Sequence, residues 1–242
     1  KQKRRRMASK VIIAVTPVHW QQYKKLNKQT DIKSFKALLP IFGTTLFVGL
    51  YITATFYYPG GSQFNHHSPG FSWTHNYWCN LLDDNAINGQ QNTAQSIALA
   101  AMFVLCFTLA FFWWQFPKFT GLGKVYKLTI QVCGTLAMAT GLLLFTKTNH
   151  DLVTNSASLF GLIATAGTLM GLYKKGWTTL FYFGLVNILL VAVNNFLYYN
   201  KEVISFLPSI QKITFATFLV WVCCISIKMY RSIKKNGNNN EK

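Results

Sequence analysis

The chain has 242 residues, of which 51% are hydrophobic, 16% aromatic and only 12% charged, with a formal net charge of +18. Soluble domains carry about a quarter of their residues as charges, so the composition excludes an ordinary soluble domain and indicates a polytopic membrane protein. Nucleic-acid binding is excluded too, because the basic residues flank apolar runs instead of gathering on a folded polar surface.

Residues 1–36 hold eleven of the 24 Lys and Arg, opening on KQKRRR and including KKLNK. A secretory signal would place a longer apolar run directly after the basic region. Here VIIAV at 11–15 is short and Pro17 follows it. The segment reads as a basic cytoplasmic arm, a topogenic signal that holds the N-terminus inside. Its alternative role is docking to anionic lipid headgroups, each basic residue near the surface contributing on the order of 1 kcal/mol.

Residues 37–58 carry no charge, and at 1.5 Å per residue they cover roughly 33 Å, enough for a first spanning helix. Phe56, Tyr57 and Tyr58 at its end suit an interfacial aromatic anchor. A polar and aromatic loop follows over 59–93, then a second apolar segment over 94–116 that closes on Trp113, Trp114 and Phe116 at the other interface, with Pro117 as the expected stop. Further spans are expected over 128–146, 152–173, 178–199 and 211–230, and the polar tail 231–242 is expected to be disordered. Gly134, Ala137 and Gly141 on the third span, with Ser156, Gly161, Ala164, Gly167 and Gly171 on the fourth, predict a close antiparallel hairpin, the GxxxG pair serving packing inside the chain rather than dimerisation. The fold class is therefore all-α, an integral membrane six-helix bundle.

Basic residues set the orientation. With both termini cytoplasmic, the inner segments hold eleven, three, two and five, and the outer face only Lys147, Lys201 and Lys212, a ratio of twenty-one to three. The 59–93 loop is then extracytoplasmic, in a plasma membrane or bacterial inner membrane.

The outer face collects His66, His67, His75 and His150 with Asp83, Asp84 and Asp151. Imidazole and carboxylate are zinc ligands, which makes His66, His67, His75, His150 and Asp151 the candidate metal ligands, although neither HxxxH nor HExxH occurs. The favoured reading is a hydrogen-bonded lid over the bundle, with Asn92 or Thr93 capping the second helix and Asn149 or Asp151 the fourth. Within the membrane the polar side chains are chiefly Gln131, Asn187, Asn194 and Asn195; Asn187 and Asn194, seven apart, share a helix face. They are either interhelical hydrogen-bonding groups or the lining of a substrate pathway. No Asp, Glu, Lys or Arg lies near a span centre, which argues against a proton or ion pump. Cys79, Cys106, Cys133, Cys223 and Cys224 form no CxxC pair. Paired intramembrane histidines for a haem and a mid-span lysine for a retinal-type Schiff base are both lacking.

YPGG at 58–61, FSWTHNYWCN at 71–80, Asn88 and Asn92 before the second helix, and His150 with Asp151 opening the fourth carry a resemblance to the DUF998 family of small multi-pass membrane proteins, distantly similar to the Frag1/DRAM-like group. The resemblance implies about six helices and an outward polar loop, and it implies no reaction. The leading reading is a non-enzymatic membrane protein whose outer loop caps the bundle and contacts lipid or a membrane-protein partner. The alternatives are an enzyme acting on a lipid headgroup at the outer leaflet, with His75, Asp83, His150 and Asp151 as acid, base or metal ligands, and a small-molecule carrier using Gln131, Asn187 and Asn194.

Overall fold

The computed structural model describes the backbone of residues 17–143 and 150–239, and side chains from 30 to 143 and from 151 to 237. Expectations that concern residues 1–16, the 144–149 connection with Asn149, the side chain of His150 and residues 240–242 lie outside what is described. Every long element is a helix: α1 (Pro17–Phe56), α2 (Gln95–Gln115), the single turn α3 (Pro117–Thr120), α4 (Lys124–Leu142), α5 (His150–Lys174), α6 (Thr178–Tyr199) and α7 (Leu207–Asn239). Five stretches, 30–56, 95–120, 151–174, 178–199 and 204–237, are long and apolar enough to cross a membrane. Their outward faces carry large exposed apolar side chains such as Phe42, Leu46, Phe107, Leu159, Leu189 and Val220. Helices apolar on every side belong in lipid or deep in a core.

The helices close into a ring. α1 packs on α2 and α7, α2 on α4, α4 on α5, α5 on α6, and α6 on α7. Trp113 of α2 and Trp221 of α7, almost fully buried, fill the centre, each 6 Å or so from the Phe218 ring (6.3 and 5.7 Å). The Trp221 indole also donates to the Leu180 carbonyl of α6 at 2.7 Å. Trp113 is thus a core residue and not the interfacial anchor expected of it, whereas its neighbour Trp114 is 52% exposed. Composition places both at a helix end; only the rotation of the helix separates them.

Glycines make the close approaches. A Cβ on Gly43 of α1 would lie 2.0 Å from the Thr108 hydroxyl of α2, and one on Gly184 of α6 would meet Leu169 at 2.4 Å and Trp221 at 2.6 Å. Gly167 of α5 faces Ile130 of α4, and Gly161 faces Ala137, so α4 and α5 do form the expected hairpin. Gly134 and Gly141 do not serve it, however: they face Trp113 and Cys106 of α2. Gly171, the second half of the GxxxG pair, receives Thr120 and Phe116 from within the same chain.

Several boundaries differ from expectation. α1 begins at Pro17, not at 37, because Lys33 and Lys36 end the apolar run without breaking the helix. α2 does end at Gln115, before Pro117 as expected, but Pro117 then opens the separate turn α3; proline at a first helical position loses no hydrogen bond. The turn closes on Gly121 in the left-handed region, φ 73°. α7 begins at Leu207, after a 3-10 turn over Ile204–Phe206, and continues to Asn239, so the polar tail is helical as far as that residue.

Candidate functional site

The two ends of the ring differ in kind. One brings together the 30–36 stretch of α1, the start of α4, α3, the α5–α6 turn and the last turns of α7, and with them Lys33, Lys118, Lys124, Lys174, Lys175 and Lys234. The other carries the 57–94 segment, folded back onto the starts of α2 and α7.

That segment has little regular structure, so its backbone groups must find other partners. Gly60 and Gly61 start it at φ 139° and 85°, conformations that L side chains rarely adopt; a Cβ on Gly61 would also lie 2.4 Å from the Asn88 nitrogen. Isolated bridges Gly60–Pro69 and Asn85–Gln91 pinch the loop at two places. Three asparagines knit the interior. Asn76, fully buried, accepts from the Ser72 N–H at 2.8 Å and donates to the Gly61 carbonyl at 2.8 Å. Asn80 accepts from the Tyr77 N–H at 2.7 Å, and Asn92 donates to the carbonyls of Asn80, Leu81 and Asp83 while accepting from the Ala94 N–H. One amide on each of these side chains replaces the ladder that a loop lacks.

Docking is equally specific. Tyr51 of α1 donates its hydroxyl to the Trp78 carbonyl at 2.6 Å, and its ring meets the Trp78 edge at 4.4 Å. From α7, Ser209 donates to the Thr74 carbonyl, the Gln211 side-chain oxygen accepts from the Trp78 N–H, and the Lys212 ammonium donates to the carbonyls of Asn76 and Pro208. The same ammonium lies 5.5 Å from the Phe71 ring centre and 5.9 Å from Trp78, near enough for cation–π attraction. Burial pushes the Cys79 thiol up to about 11, with the Asp83 carboxylate adding to it and Lys212 opposing. The phenols of Tyr58 and Tyr77 are raised as well, both chiefly by burial. These groups stay neutral at physiological pH and act as hydrogen-bonding or apolar filler; Tyr58, for one, accepts from the Ile87 N–H at 3.1 Å.

The histidines are elsewhere. His66, His67 and His75 are all exposed on the loop surface. His66 Nδ1 lies 3.3 Å from the Ile87 carbonyl; His75 Nδ1 is 3.2 Å from the hydroxyls of Ser72 and Thr74, and its ring meets Phe64 edge-on. Asp84 accepts from Gln95 at 2.8 Å, and the Tyr198 hydroxyl approaches Asp151 at 3.5 Å. No group of three or more His, Cys, Asp or Glu able to hold a metal occurs among the described residues. Asp151 does stand in the first turn of α5, where a carboxylate is favoured by the helix dipole. At the start of α2, Ala94 precedes the first helical residue without a side-chain cap of its own; the Asn92 side-chain oxygen accepts from the Ala94 N–H at 3.1 Å while its amide turns inward, and Thr93 donates instead to the Tyr57 carbonyl at 2.6 Å.

In the spans, Gln131 of α4 donates to the Trp114 carbonyl of α2 at 2.9 Å, and Asn194 of α6 to the Thr214 hydroxyl of α7. Asn187, 2% exposed, donates to the Phe183 carbonyl of its own helix. These contacts tie helices and turns together. Sequence reasoning gave Asn76 and Asn80 no role beyond their place in the 71–80 stretch, passed over Ser209 and the side chain of Gln211, and noticed Lys212 only as a charge. No family model matches the chain, and no curated protein or solved structure is similar enough to it to count as a match.

Proposed function

We propose that the chain crosses the bilayer six times with both termini cytoplasmic, and that the 57–94 segment is a preformed, non-catalytic cap on the outer end of the ring. The observation that carries this reading is the segregation of the two ends: most of the described lysines at one, an asparagine-knit loop at the other. Exposed Phe64 and Trp73 on the cap, 53% and 47% accessible, with Phe56, Tyr57, Tyr199 and Phe206 at the rim, give it an aromatic face suited to lipid headgroups or to a membrane-protein partner. A carrier pathway has less support, since Gln131 and Asn194 spend their amides on neighbouring helices.

Kinship with the DUF998 family is proposed on the same footing. Gly60, Gly61, Asn76, Asn80 and Asn92, which carry that resemblance, are the residues whose geometry the cap requires.

The test is single-cysteine labelling in a background without the five native cysteines. A cysteine at His66 is expected to react with an impermeant maleimide on intact cells, and one at Lys118 only after permeabilisation. The reverse pattern overturns the orientation, and equal access from one side overturns the spanning arrangement. Elemental analysis of the purified protein is expected to find no stoichiometric zinc. One equivalent, lost on replacing His75 or Asp151, would move the chain to the lipid-headgroup enzyme reading.

A further inference from the structure

At the lysine-bearing end, α1, α3, the α5–α6 turn and α7 enclose a half-open cavity of about 240 Å³, separate from the cap and independent of what the cap does. Its polar lining comes from remote parts of the chain: Thr30 and Lys33 from α1, Lys175 from the turn, Ser232 and Asn236 from α7, with the Trp177 indole beside them. Among the described residues neither ammonium has an ion-pair or hydrogen-bond partner. Both lysines are exposed at the cavity's rim, where an anion would meet two positive charges. The hydroxyls of Thr30 and Ser232 and the Asn236 amide add neutral donors, and Met229, buried at 2%, closes the apolar side. Asp31, the one carboxylate described at this end, does not line the cavity.

Two ammoniums, hydroxyl donors and an apolar wall suit a phosphate that carries a hydrophobic substituent. On the proposed orientation this end is cytoplasmic, and basic pockets between spanning helices on that side are a known setting for such headgroups. The close contact of Gly237 with Thr30, where a Cβ would lie 2.8 Å from the threonine methyl, draws the last turns of α7 against the middle of α1 and shapes the opening. We propose that this cavity binds a phosphate group, presented by an anionic phospholipid of the inner leaflet.

The test uses full-length protein in a neutral detergent, titrated with dihexanoyl-phosphatidylglycerol, dihexanoyl-phosphatidylcholine or inorganic phosphate, and read by thermal shift and by native mass spectrometry. Phosphatidylglycerol is expected to stabilise the protein and remain bound. K33Q/K175Q should weaken it about tenfold or more, whereas K118Q/K124Q, at the same end but outside the cavity, should not. Ser232→Trp, which fills the cavity without changing charge, should abolish the shift and separates a built site from general electrostatic attraction. Equal binding of inorganic phosphate, lost in the same variants, keeps the phosphate site and overturns the lipid as its source. Unchanged phosphatidylglycerol binding in K33Q/K175Q and Ser232→Trp, or an equal effect of phosphatidylcholine, overturns the proposal.

Discussion

Asn76 shows how much one amide does in this protein. It is fully buried, and both ends of its side chain are engaged, with the Ser72 N–H and the Gly61 carbonyl. Replacing it with Ala strands two buried backbone groups, each costing about 1–3 kcal/mol. Asn76→Ala is expected to loosen the cap while leaving the spans intact: hydrogen exchange over 60–80 should rise sharply, with helical circular dichroism unchanged. Cys79, three residues on, reports the same region chemically. Its folded-state pKa is raised to about 11 from an ordinary value near 9, so the folded cap holds its proton more tightly than the unfolded chain does. The stability linked to this thiol is fully present below pH 9 and is lost as the pH climbs through 11. Alkylation of Cys79 should therefore be slow from pH 6 to 8.5, rise about tenfold per pH unit with the thiolate fraction and level off only above pH 11, and Asn76→Ala should raise the rate throughout that range by opening the site. None of this was legible beforehand: asparagine in a turn-rich segment reads equally well as a solvated turn former or as a buried clamp, and only packing decides between them. The histidines are ambiguous for the opposite reason. Imidazole invites a metal reading wherever it recurs, but spacing along a loop fixes no distance in space.

Among the elements, the apolar spans were readable because charged or turn-forming residues bound them, and hydrophobicity over about 20 residues depends on no neighbour. What each face packs against was not. The small residues of α4 suggested a single hairpin seam with α5, yet Gly134 and Gly141 lie against α2, and only Ala137 faces Gly161. A helix with two neighbours has two seams, and small residues mark both without saying which is which. Helix ends were equally opaque: lysines stop an apolar run but propagate a helix well, so α1 continues back to Pro17. The seams can be tested individually. A Cβ on Gly134 would lie 2.5 Å from the Trp113 side chain, at the buried centre of the ring, whereas one on Gly49 meets nothing within 4 Å. Gly134→Ala is expected to cost about 1–3 kcal/mol through overpacking, and Gly49→Ala to be neutral or slightly stabilising as a better helix former. Thermal unfolding in detergent, followed by tryptophan fluorescence, compares the two. Equal midpoints would mean that Trp113 does not sit where the ring places it.

For the whole molecule, the status of α4 governs the topology. The described residues hold five stretches long and apolar enough to span, and α4 is not among them. An odd number of crossings would put the termini on opposite sides and split the basic residues between them. Packing argues for a sixth. Along α2 and α4, Trp113 meets Gly134 and Cys106 meets Gly141; along α4 and α5, Ile130 meets Gly167 and Ala137 meets Gly161. In both pairs the numbering rises on one helix as it falls on the other, so α4 is antiparallel to α2 and to α5 and traverses the same depth as each. Its 19 residues extend about 28 Å, close to the roughly 30 Å hydrocarbon core. On the proposed topology, a helix held in this way between two spans crosses with them. Lys124 and Lys127, both in its first turn, would then sit at the inner headgroup level and help to anchor it. Cysteines placed singly at Lys124 and Asn149, in the background free of native cysteines, put this to a direct measurement. Six crossings place Asn149 on the same side as His66, reactive to impermeant maleimide on intact cells, and Lys124 on the opposite side. If Lys124 and Asn149 are labelled together from one side, α4 lies in the interface, the ring is broken between α2 and α5, and the shared cytoplasmic placement of the two termini goes with it.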